Sequence, residues 1–197
     1  MAARGSYAKG IAKRDEILTT ALEVIATNGY RKTTIRELAT AVNLSQTGLL
    51  HYFGTKEDLF IEVLRKRDEV DSAMFGGSFG QIDASANIID VFMQVIQHNT
   101  EVPGLVHLYT QFASEASEPG HPAHQYFLER SEKLRSTFSG AIRAQQDNGT
   151  LADSIDADRV ATLLMSASDG LQVQWLLDPS VDMISHISLL WASLTRP

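Results

Sequence analysis

The sequence predicts an all-α protein of about nine helices, and three observations carry that prediction. Apolar residues recur at helical spacing along almost the whole chain, no stretch alternates as a strand does, and the stripes break at Gly, Pro or Asn. The 197 residues are 44% apolar and 21% charged, near the globular average, with only five prolines. That length allows one domain or two small ones with a buried core. No window approaches the roughly 18 apolar residues of a membrane span. Met1 to Gly10 carries cations with no apolar run behind them, so no signal peptide is expected. The absence of cysteine excludes a disulfide scaffold, a Cys-ligated zinc site and a thiol nucleophile, and it fits a reducing, cytoplasmic setting.

The elements follow in order. Over Gly10–Asn28, Ile11, Leu18, Ala21, Leu22 and Ile25 form one helical stripe, which Asn28-Gly29 closes. Thr34 and Glu37 form a capping box that opens a short helix through Leu38, Ala39 and Val42. Asn43 suits a turn, and Ser45 can cap a third helix running to Phe53 and ending at Gly54. Thr55 with Asp58 makes a second box before Leu59, Phe60, Val63 and Leu64. Residues 71–83 hold Gly76, Gly77 and Gly80 and read as a loop or hinge. Helices are then expected over 87–99, 103–117, 123–146, 157–177 and 181–194. Asp156, or Asp153 upstream, could start the fourth of these, and Asp178-Pro179 stops it.

Charge is unevenly placed. Residues 1–56 carry eight Lys/Arg against four Asp/Glu, although the whole chain has a net charge of −7. A basic head on an acidic body hints that the head binds a polyanion. The spacing in residues 31–53 agrees, because two short capped helices around a turn make a helix-turn-helix, whose second helix enters the major groove of DNA. Leu38, Ala39, Val42, Leu44 and Leu49 can bury one face, with Phe53 closing the bottom against Ile25 and Leu22. The other face offers Gln46, Thr47, Leu50 and His51, with Tyr52 beside them. Thr33, Thr34, Arg36, Tyr52 and Lys56 surround it as phosphate binders, and the two box-capped helix starts could each hold a phosphate.

Residues 10–67 resemble the DNA-binding domain of the tetracycline-repressor (TetR) family of bacterial regulators. The resemblance lies in IL-(x)2-AL-(x)2-IATNGY-(x)2-TTIRELA-(x)2-VNLSQTGLLHYFGTKEDLF, and most specifically in SxxxLLHYFxxKEDL. It implies three DNA-binding helices over residues 1–54, a connecting helix over 55–70, and a ligand-binding and dimerisation domain over 71–197. It implies base contacts at Arg36, Gln46, Thr47, Gly48 and His51, phosphate contacts at Thr34, Tyr52 and Lys56, and Ser45 at the cap between them. Two positions depart from the family pattern: Leu50 stands where Tyr is usual, and Asn43 where Gly is usual.

The acidic body shows no catalytic constellation. His121 and His124 stand in or beside a Pro-Gly-His-Pro turn, which suits a structural role better than a metal site, so no metal and no cofactor are expected. An apolar cavity with a few polar groups would suit a small molecule. Its lining would draw on Phe92, Met93, Ile96, His107, Gln111, Phe112, Tyr126, Phe127, Arg130, Met165, Asp169, Gln172 and Trp175, most of which also read as core. Val160, Leu163, Leu164, Ala167 and Leu171 form one association stripe. Ile184, Ile187, Leu190, Trp191 and Leu194 form another, and the resemblance implies a homodimer through these last two helices. The resulting reading is a transcriptional repressor that a small-molecule effector releases from a palindromic, double-stranded DNA operator. A helical enzyme or a peptide-binding adaptor with a vestigial head is the alternative.

Overall fold

The computed structural model describes residues 2–74 and 87–195, excepting the side chains of 2–7. Nine helices follow one another among these residues. They are α1 (Ala2–Asn28), α2 (Ile35–Ala41), α3 (Gln46–Leu50), α4 (Lys56–Met74), α5 (Ile88–Glu101), α6 (Pro103–Glu115), α7 (His124–Asp147), α8 (Ala157–Leu177) and α9 (Met183–Thr195). No strand occurs among them, so the all-α expectation holds. None is long and apolar enough to cross a membrane.

The caps explain most of the boundaries. Thr34 Oγ1 accepts the amide of Glu37 while the Glu37 carboxylate accepts the amide of Thr34, so both halves of the box are present. Ser45 Oγ accepts from the Gly48 amide at 3.0 Å. Thr55 and Asp58 form a second box before α4. Gly29 and Gly54 sit at φ 81° and 87°, and Asn43 holds the inter-helix turn at φ 56°, in the left-handed region that Asn tolerates. Asp156 caps α8 through the Arg159 amide. Asp178 ends that helix, and its carboxylate accepts from the Ser180 hydroxyl and amide, which holds its pKa below the ordinary value.

Three boundaries differ from expectation. The first helix starts at Ala2 rather than Gly10, because nothing in the preceding Ala-rich residues stops it. The third ends at Leu50, and residues 51–53 form a turn. The glycine-rich stretch at 71–83 falls mostly outside the described residues, and its first four continue α4.

By packing, the chain forms two units: Met1–Asp68 with Val102–Ala123, and Glu69–Glu101 with His124–Pro197. The first unit therefore joins α6 to the helix-turn-helix, although residues 69–101, with the end of α4 and all of α5, intervene in the chain. Its core runs from Ile17 and Ile25 of α1 through Leu38 and Leu49 to Phe60 of α4 and Leu108 of α6. Tyr30 stands edge-on to Phe60 and Phe112, with ring centres 5.3 and 6.0 Å away. Burial pushes the Tyr30 hydroxyl above its ordinary pKa, and the Glu115 and Glu57 carboxylates push the same way, so it stays protonated at neutral pH. In the second unit α8 packs between α7 and α9, and α5 packs on α7 and α9. Phe92 meets Phe138 edge-on at 4.8 Å there.

Gly104 is what allows α6 to lie against the end of α1. A Cβ at this position would stand 2.0 Å from the Ile25 carbonyl oxygen and 3.0 Å from the Gly29 Cα, both rigid backbone. Arg67 of α4, itself buried, adds a hydrogen bond to the Leu105 carbonyl and stacks over Tyr109. Gly104→Ala should therefore destabilise the protein by about 1–3 kcal/mol, the usual cost of overpacking a tight contact. Urea denaturation measures it, and an unchanged midpoint would show that α6 does not sit on α1 in solution.

Candidate nucleic-acid interface

The first unit presents a polar face built around α3. Gln46, Thr47 and His51 are exposed, while Gly48, Leu50 and Tyr52 are half-buried between them and the core. Leu49 supplies the anchor on the opposite side, with none of its surface exposed. Five residues give α3 little more than one turn, so neighbouring side chains stand around it rather than along one stripe. Gly48 matters for the approach of α3 to its own cap, since a Cβ there would meet Ser45 Oγ at 3.1 Å. The His51 and Tyr52 rings lie 6.2 Å apart, and Tyr52 leans on Phe53.

Around this face, Thr34, Arg36, Ser45 and Lys56 are exposed. Lys56 Nζ lies 5.4 Å from the centre of the Phe60 ring at the start of α4. Thr33 is a correction. It is buried, and its hydroxyl donates to the Gly29 carbonyl at 2.9 Å, so it closes the α1 turn rather than reaching for phosphate. The helix-start phosphate sites also shrink. Both boxes engage the first and fourth amides of their turns, leaving the two between them.

Two side chains on α1 bear on this face although composition counts them only as charge. Lys13 Nζ donates to the Val42 carbonyl at 2.9 Å, and Arg14 Nη1 donates to the Tyr52 carbonyl at 2.5 Å. A signal existed, because both directly precede the first buried turn of α1, but nothing in the spacing shows what they would touch.

The proposed ligand-lining residues divide between the two units. Phe112 and His107 stand against Tyr30 in the aromatic cluster of the first unit, and Gln111 donates to Glu115 beside them. In the second unit Ile96, Tyr126, Gln172 and Trp175 are buried, whereas Phe92, Met93, Phe127, Arg130 and Met165 are half-buried. Tyr126 and Phe127 pack edge-on at 4.9 Å, and the Met93 sulfur accepts from Ser188. Asp169 is exposed on α8, outside the buried interior that the other residues share. Gln172 Oε1 is the one described buried side-chain oxygen or nitrogen without a hydrogen-bond partner.

The association stripes hold in part. Val160, Leu164 and Ile187 are buried within their own unit. Leu163 of the first stripe is exposed at 47%, and Val173, Leu177 and Leu189, outside both stripes, are exposed with it at 44%, 77% and 68%.

A short capped pair of helices, buried on one side and polar on the other, defines a helix-turn-helix DNA-binding unit. Residues 17–63 match the family model described as "Bacterial regulatory proteins, tetR family". Over 167 residues the chain is 28% identical to the HTH-type transcriptional regulator BetI of Rhizobium meliloti, covering 82% of this chain and 77% of that one. It is 24% identical to the HTH-type transcriptional repressor KstR2 of Rhodococcus jostii, covering 94% and 92%. Its fold matches a putative transcriptional regulator from Saccharomonospora viridis solved in complex with choline, with a TM-score of 0.69, 24% identity and coverage of 94% and 98%. Residues 17–63 are thus a tetR-type DNA-binding domain, and the chain is a DNA-binding transcriptional regulator similar over most of its length to the regulators of that family.

Exposed Lys56 and the α3 side chains should separate in a binding assay. Lys56→Ala should weaken binding to every DNA sequence alike and make the salt dependence shallower by about one phosphate contact per head. Gln46→Ala should cost about 1–3 kcal/mol on the preferred operator and much less on unrelated DNA. The ratio of specific to non-specific affinity at one salt concentration tells them apart. The reverse pattern would place α3 outside the groove.

Proposed function

We propose that this regulator is a repressor acting as a homodimer in the cytoplasm. It would occupy a palindromic operator through α3 of each head and leave when a small molecule binds the helical body. The observation that carries this reading is the α3 face, with exposed Gln46, Thr47 and His51 flanked by Thr34, Arg36, Tyr52 and Lys56. In this reading residues 1–54 read DNA, 55–70 connect, and 71–197 bind the effector and the second copy. The relative in Rhodococcus jostii is named a repressor, which supports the direction of control. Every relative reported above is named as a regulator, which supports a non-enzymatic role.

The exposed stripe on α8 and α9 supports the dimer. Four large apolar side chains are exposed on these two adjacent helices, and exposed apolar surface of that kind marks interaction sites. Two such copies related by a two-fold axis would present two heads to successive major grooves, about one helical turn apart. Release follows if the effector favours a dimer whose heads are spaced wrongly for that distance.

The Saccharomonospora viridis regulator was solved with choline, which supports a small organic molecule as effector here. Gln172 supplies a specific chemistry. Its Nε2 donates to Ser168 at 3.4 Å while its buried Oε1 has no partner, so an effector bearing a hydroxyl or N–H donor would complete it. Met165 and Trp175 lie on the same side of α8, one or two turns away.

Two experiments test these assignments. Selection from random DNA at fixed salt should return a palindrome, and Leu163→Glu with Leu189→Glu should yield folded monomers in the ultracentrifuge that no longer retain it. A wild-type monomer at micromolar concentration, or no preferred sequence, would refute the reading. Gln172→Met removes an unsatisfied acceptor and keeps the volume. In the free protein it should raise stability by about 1 kcal/mol, a rise in melting temperature of roughly 2–4 °C. A lower melting temperature would mean that Oε1 is already satisfied within the fold.

A further inference from the structure

Two of the cations on α1, Lys13 and Arg14, reach toward the ends of the two helices of the helix-turn-helix. Val42 is the C-cap residue of α2, and Tyr52 lies two residues past the end of α3. The last carbonyls of a helix lack intrahelical partners and carry the negative end of its dipole, so a cation there answers both needs. Lys13 takes the first of these carbonyls and Arg14 the second. Arg14 is engaged on its other sides as well. Its guanidinium lies 4.4 Å from the centre of the Phe53 ring, and Nη2 pairs with Glu62 of α4 at 2.8 Å. Lys13 also pairs with Glu16 at 2.7 Å.

We propose that Lys13 and Arg14 are positioning residues for sequence reading. They hold α2 and the turn after α3 against α1 and so set the angle at which Gln46, Thr47 and His51 enter the groove. They do this without touching DNA. Charge counting would class them with Lys56 as phosphate ligands, but Arg14 has its two terminal nitrogens on Tyr52 and Glu62 and one face on Phe53. Helices of seven and five residues have no orientation of their own to keep, so the clamp on their ends decides it. Arg14 further ties α1 to the backbone of Tyr52, whose ring stands beside His51 on the reading face.

The test compares two duplexes by fluorescence anisotropy over a range of salt: one recovered by the full-length protein from random DNA, and its scrambled counterpart. Arg14→Met keeps an apolar stem over Phe53 and removes the hydrogen bonds. The ratio of specific to scrambled affinity should fall about tenfold or more, while the slope of log affinity against log salt stays that of the wild type. Lys13→Met should lower the same ratio by less, and Arg14→Lys should recover part of it. Circular dichroism melts establish that each variant is folded at the binding temperature. If Arg14→Met does not fold, Lys13→Met and Arg14→Lys decide by the same ratio. Two results overturn the proposal. One is an unchanged ratio, as a general loss of folded protein would give. The other is both affinities falling together with a slope shallower by about one contact per head, the mark of a phosphate ligand.

Discussion

Seven residues and five residues are too few for a helix to persist in water, yet helices of those lengths carry the recognition surface. Their existence depends on burial, α2 against α1 and α3 against α2. Leu38, Ala39, Val42 and Leu49 are almost completely covered, and each large apolar side chain so covered contributes about 1.5–3 kcal/mol. Side-chain caps at Thr34 and Ser45 then fix where each helix begins, and Asn43 fixes the bend between them. The polar face is exposed as a consequence, because the only apolar faces available are already committed to the core.

The charges of the head do two different jobs. Arg36 and Lys56 stand in solvent beside α3. Lys13 and Arg14 are held by carbonyls, an aromatic ring and carboxylates, and Lys66 reaches back from α4 to Asp15 at 2.6 Å. Exposed pairs such as the last are worth little in stability. A cation at a helix end with good geometry is worth more, and it also restricts direction. The excess of positive charge in residues 1–56 therefore overstates the number of groups free to meet a polyanion.

Local signals were the legible ones. The two boxes, the Ser45 cap, Gly29, Gly54 and Asn43 each act through residues three or four positions apart, and each forms as the sequence suggests. The exposed side chains of α3 follow directly from them. Less legible was whatever depends on a partner far along the chain. Gly104 reads as an ordinary residue after proline until α1 is placed 2.0 Å from its missing side chain. Thr33 looks like a polar neighbour of Thr34 until its hydroxyl is seen on Gly29. On α8, helical spacing showed that apolar residues share faces but not which face turns inward: Val160 and Leu164 are buried, while Leu163 is exposed with Val173 and Leu177.

The first unit is discontinuous in the chain, since α6 returns to it after α5. Translation delivers residues at roughly 5–20 per second, so the helix-turn-helix leaves the ribosome several seconds before the helix that covers Ile25 and Phe60. Through that interval the nascent head has Tyr30 and Phe60 without the Phe112 ring that packs on both. Gene fusions meet the same constraint. A breakpoint placed after α4, where the family match at residues 17–63 would invite one, cuts through a core rather than between two. In this chain a fusion that leaves α6 behind would uncover the core that the helix-turn-helix shares with it.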